Sequence, residues 1–151
     1  MKKIIIYGLM AVLLLLPVEG TDVGKLLPVE LIYISVDGKT VTIATDVGQM
    51  GSGETVAAAI ANLKATAPGI IFLDTSDYVL MTETAKENIE DVKAVLKPSM
   101  RVCVLRTDTD LKEAARFLAI HQPGLKLADA KKDSNMDVLT GEGGRFVLKK
   151  D

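Results

Sequence analysis

Short apolar runs that alternate with stretches of helical spacing constrain this chain more than any other feature. Residues 70–73, 78–81 and 101–105 are apolar almost throughout and too short to be helices. Such runs suit strands buried on both faces. Between and beyond them, Val56, Ile60, Leu63 and Ala67 recur at i, i+4, i+7 and i+11, and Ala85, Ile89, Val92 and Leu96 repeat that spacing. Leu111, Ala114, Ala115 and Leu118 form a third stripe. Each stripe lies on one side of a helix. Strands alternating with helices predict an α/β fold, with parallel pairing wherever a helical crossover joins two strands.

The opening differs. Residues 29–36 are rich in β-branched and aliphatic side chains, and Asp37-Gly38 follows them. Residues 39–45 then place Val41 and Ile43 on one side and Thr40 and Thr42 on the other. Two such runs around Asp-Gly predict a hairpin. Residues 46–53 read as a glycine-rich loop leading into the first helix, which Pro68-Gly69 ends. Thr84 with Glu87 has the spacing of a capping box for the second helix, and Thr107-Asp108-Thr109-Asp110 offers caps for the third. The expected architecture is a single domain with a mixed sheet of about five strands and three helices, an opening hairpin followed by two strand-helix-strand units. Its span is 21–121. Residues 122–151 lose the periodic pattern and read as a polar extension, in which 145–149 is either a last edge strand or simply tail.

The start of the chain reads as a targeting segment. Lys2 and Lys3 precede an apolar run over residues 4–16, Pro17 breaks it, and Val18-Glu19-Gly20 supplies modest side chains at the expected cleavage region. Residues 1–20 are therefore expected to act as a signal peptide for export. The run is shorter than the ~20 residues that span a bilayer, which makes an uncleaved membrane tether the second reading. A lipid anchor needs a cysteine just after such a run, and the single cysteine is Cys103. It sits in Val102-Cys103-Val104-Leu105 and is expected to be a buried, inert thiol.

Charge narrows the function. The 18 basic and 20 acidic residues give a net charge of −2 and form no basic stripe, and the chain has three Tyr, three Phe and no Trp. Nucleic-acid binding is therefore not expected. Motifs for chemistry mostly fail on a required residue. Gly48-Gln49-Met50-Gly51-Ser52-Gly53-Glu54-Thr55 has the glycine and threonine spacing of a P-loop, but Glu54 stands where lysine must neutralise phosphate. Asp74 and Asp77 end a strand in Asp74-Thr75-Ser76-Asp77, yet neither a phosphotransfer pair nor a metal-adhesion motif has that spacing. His121 is the only histidine, placed after a helix where it complements the dipole. No catalytic, cofactor-binding or metal-ligating residues are assigned, and no cofactor is expected.

Four stretches in this order resemble the N-terminal domain of Ger(x)C proteins, the C-subunits of spore germinant receptors. Residues 29–45 resemble its opening strand pair. Gly53-Glu54-Thr55-Val56-Ala57-Ala58-Ala59-Ile60 resembles its Gly-x-Thr helix start. Residues 78–89 resemble its strand, acidic turn and Ala-Lys helix, with Asn88 where the family often has glycine, and residues 101–118 resemble the strand and helix that follow. The resemblance implies a non-enzymatic subunit partnered by a membrane protein complex. The leading expectation is thus an exported, non-catalytic interaction module at the outer face of the cytoplasmic membrane, or the equivalent space of a developing spore. Contact would run through residues 48–53 and the C-terminal tail. A second reading is a small exported metal-dependent hydrolase or ligand-binding protein using Asp74, Asp77 and Asp108. A third is an oligomer-forming protein of a spore or envelope layer.

Overall fold

The computed structural model describes residues 23–142 and 145–150, so the signal segment expected over 1–20 lies outside the described residues. Nine strands are described: β1 Leu26–Pro28, β2 Leu31–Asp37, β3 Thr40–Thr45, β4 Met50–Gly53, β5 Ile70–Phe72, β6 Tyr78–Met81, β7 Arg101–Leu105, β8 Val138–Glu142 and β9 Arg145–Lys149. The helices are α1 Val56–Thr66, α2 Ile89–Val95 and α3 Leu111–Ile120. Seven strands form one sheet in the order β4-β3-β2-β6-β7-β8-β9, and β1 pairs with β5 in a separate two-stranded sheet. The class is mixed α/β as expected, but the described residues hold nine strands rather than about five.

The four central strands β2, β6, β7 and β8 are parallel neighbours, and antiparallel strands continue the sheet on both sides. Period-two alternation splits their side chains between two cores. Ile32, Ile34, Val79, Met81, Val102 and Val104 pack on one face beneath α1 and α2. Leu31, Tyr78, Leu80, Cys103 and Leu139 pack on the other, beneath Ala114, Ala115 and Leu118 of α3. All four residues of β6 are buried. Among the described residues no helix is long and apolar enough to cross a membrane.

The helical stripes hold, and their ends differ. Thr55 caps α1 by accepting the Ala58 N–H at 3.1 Å, and Asp110 caps α3 by accepting from Lys112 at 2.8 Å. The Thr84–Glu87 capping box does not form. Thr84 Oγ1 instead donates to the Val36 carbonyl at 3.1 Å, residues Thr84–Asn88 wind as 3₁₀ helix, and α2 starts only at Ile89. Asn88 keeps an ordinary φ of −98°, with no left-handed conformation to accommodate.

Three further expectations are corrected. The return strand at 70–73 is not buried on both faces: only Ile71 is buried in β5, which joins β1 instead of the main sheet. The glycine-rich loop is partly strand. Gly51 and Gly53 belong to β4, and a Cβ on Gly51 would lie 2.4 Å from the Leu63 backbone nitrogen. Glycine is there because α1 lies directly on the strand, and that close approach outweighs its poor strand propensity. The polar extension is also part of the fold. Leu127, Ala130 and Met136 enter the first core, and β8 pairs with β7. Their backbone is 3₁₀ and irregular, so burial there follows neither helical nor strand spacing.

Gly51→Ala should force α1 off β4 and destabilise the domain by about 1–3 kcal/mol, the usual cost of overpacking. Urea unfolding followed by circular dichroism reads this directly. A variant as stable as the wild type would contradict the packing described.

Candidate functional site

Parallel α/β sheets bind ligands beyond the carboxyl ends of their strands, where neighbouring connections leave for opposite faces. Here that divergence falls between β6 and β7. The chain leaves β6 for α2 on the first face, while β7 leads to α3 on the second. Glu83 follows β6 and Arg106 follows β7, and an Arg106 guanidinium nitrogen meets Glu83 Oε1 at 2.6 Å across the gap. Lys86 lies 3.6 Å from the other carboxylate oxygen. The hydrogen bond from Arg106, helped by the charge of Lys86, holds the Glu83 carboxyl below its ordinary range despite some desolvation.

On the second face this end opens into a cleft of about 470 Å³ lined by Tyr33, Leu105, Arg106, Leu111 and the Thr107–Asp108–Thr109 loop. A smaller cleft of about 320 Å³ lies across that loop, against Glu113, Arg145 and Phe146. Burial raises the Tyr33 phenol; its hydrogen bond with Ser35 opposes that rise and the Asp108 charge adds to it. The phenol therefore stays protonated at neutral pH and can donate a hydrogen bond. These clefts offer hydrogen bonding, ion pairing and apolar contact.

The carboxylates of the metal-dependent reading do not meet. Asp74 and Asp77 precede β6, where Lys97 pairs with Asp77 at 3.3 Å and donates to the Asp74 carbonyl at 3.1 Å. Asp108 lies past the far end of β7, whose first residue, Arg101, bonds to the Asp77 carbonyl. At ~3.3 Å per residue, the length of β7 and its following turn puts roughly 15–20 Å between them. Among the described residues no group of three or more His, Cys, Asp or Glu is placed to hold a metal ion.

The other singled-out residues have local roles. His121 follows α3 with its ring 4.5 Å from that of Phe117, and its backbone N–H donates to the Phe117 carbonyl. Glu54 is exposed beside the Thr55 cap, and the P-loop-like run before it pairs antiparallel with β3 instead of cradling an anion. Cys103 is buried, and burial, reinforced by the Asp137 charge, pushes its thiol far above the ordinary range. Asp137 is itself buried and accepts the Gly124 N–H at 2.7 Å, tying the segment after α3 to the start of β8. Sequence reasoning passed over Glu83, Arg106 and Tyr33. The available signal was position: Glu83 and Arg106 each come just after a buried strand.

Glu83 is half-exposed, so its pair with Arg106 is worth less than about 1 kcal/mol. A carboxyl lowered in the folded state contributes above its unfolded pKa and loses that contribution as pH falls through the folded one. Glu83→Gln should therefore cost that small amount at pH 7, and the difference from wild type should close below about pH 4 in paired urea melts. Cys103 should resist a thiol reagent at pH 8 until denaturant unfolds the chain. Labelling of the native protein would place the thiol at the surface.

No family model, no curated protein and no solved structure matches the chain.

Proposed function

We propose that this chain is an exported, non-catalytic interaction module resembling a single Ger(x)C N-terminal domain. It docks onto a membrane protein complex of spore germination or sporulation. It acts at the outer face of the cytoplasmic membrane, or in the equivalent space of the spore.

The observation that carries the reading is where the two candidate contact regions lie. The glycine-rich segment forms β4 and the tail forms β9, the two edge strands of the seven-stranded sheet. Edges carry unpaired backbone groups that can accept a partner's strand. The two edges are unequal. On β4 the Asn62 side chain accepts the Ser52 N–H at 3.0 Å, although Met50 remains 61% exposed. On β9, Arg145 and Lys149 are exposed while Phe146 and Leu148 pack partly against the second core. Lys149 already pairs with Glu142 of β8, so a partner strand with an acidic side chain facing Arg145 would complement that edge. The resemblance adds support through order: its four stretches correspond to the β2–β3 hairpin, the start of α1, β6 with α2, and β7 with α3.

A photo-crosslinking residue placed at Val147 or at Met50 tests this in native membranes, with Lys64 on the exposed side of α1 as control. Detergent-extractable membrane protein should be captured from the first two positions and competed by excess unlabelled chain. Capture no stronger than from the control position would sink the proposal.

A further inference from the structure

The two-stranded sheet presents an apolar face at the end of the molecule opposite the Glu83–Arg106 pair. Its register sets Leu26 against Ile70, Leu27 against Ile71 and Pro28 against Phe72. Leu27 and Ile71 pack into the first core. The alternate residues Leu26, Pro28, Ile70 and Phe72 share the outer face, where Ile70 is 47% and Phe72 42% exposed. This face is firmly built. Thr75 Oγ1 accepts the Val29 N–H at 3.2 Å, and Ser76 Oγ donates to the Val29 carbonyl at 2.9 Å. Gly69 lets the chain start pass against it, since a Cβ there would lie 2.5 Å from the Lys25 carbonyl oxygen.

We propose that this face rests on a lipid surface. In the sequence only residues 17–25, at most about 30 Å even fully extended, separate the apolar run of residues 4–16 from β1. Because Lys25 is held against Gly69, the chain enters the domain at the margin of this face. Kept as an uncleaved tether and lodged in a bilayer, segment 4–16 would bring Ile70 and Phe72 to the bilayer's edge. Four side chains hold a lipid surface only marginally, and stable attachment takes two contacts, which here are the face and the apolar run. A second copy fits less well, because two three-residue strands offer far less than the ~800 Å² per partner of a stable interface. Lys25 and Asp74 flank the face with opposite charges, so contact depends on burial and not on anionic lipid.

The inference rests on the second reading of the chain start, in which residues 4–16 stay uncleaved as a tether, and on the membrane-side placement proposed above, and it is tested separately from that placement. The chain has no tryptophan, so F72W supplies a single fluorophore. K39W, in the exposed hairpin on the order of 20 Å away along β2, is the control. The full chain carrying either probe is reconstituted with phosphatidylcholine vesicles, with and without brominated acyl chains. The F72W emission should shift to shorter wavelength and be quenched by bromine at low and high salt alike, K39W should do neither, and adding I70D should abolish the F72W response. A water-like F72W probe, or a full chain that does not bind the vesicles, overturns the proposal. So does a shift that needs no lipid and grows with protein concentration, because a second copy then covers the face. Lipid contact without crosslinking to a membrane protein would remove the proposed partner and leave this face standing, and the converse would remove only the face.

Discussion

Burial of the central parallel strands on both sides is the constraint on which the rest of this structure depends. In β2, β6 and β7 consecutive residues serve different cores: Ile32 and Leu31, Val79 and Leu80, Val102 and Cys103. Each fully buried aliphatic side chain is worth about 1.5–3 kcal/mol relative to exposure. A register slip of one residue would exchange the two sets, which face differently shaped helical covers. The register therefore fixes where every connection leaves the sheet. It also fixes the divergence between the β6 and β7 connections, where Glu83 and Arg106 meet.

That arrangement gives the molecule two unlike ends. At the carboxyl ends of the parallel strands gather an ion pair, a protonated tyrosine, threonine hydroxyls and Asp108. At the amino ends, β1 and β5 turn Ile70 and Phe72 outward beside the point where the chain enters the domain. The direction of the parallel strands thus sets polar groups at one end of the domain and an apolar foot at the other.

The irregular segment between α3 and β8 shows how polar groups support this apolar frame. Asp137 is buried with its carboxylate on the Gly124 N–H, and Arg101 reaches the Pro123 carbonyl at 2.8 Å. These bonds hold residues 123–137 against the sheet so that Leu127, Ala130 and Met136 can fill the first core. Buried polar groups that find such partners specify one path for a segment without regular periodicity.

Local pattern by itself determined the elements whose side chains repeat with a fixed period. The β2–β3 hairpin, β6, β7 and the stripes of all three helices were readable because burial there follows spacing of two or 3.6 residues. Tertiary structure decided what has no such period. Gly51 and Gly53 became strand because α1 lies on them, and residues 70–72 left the main sheet for β1, which exposes two of their apolar side chains. Met136 and Leu127 became core through a path set by long-range hydrogen bonds. The candidate site was hidden for the same reason. Glu83 and Arg106 are 23 residues apart in the chain, and only parallel pairing of the strands before them brings their charges together.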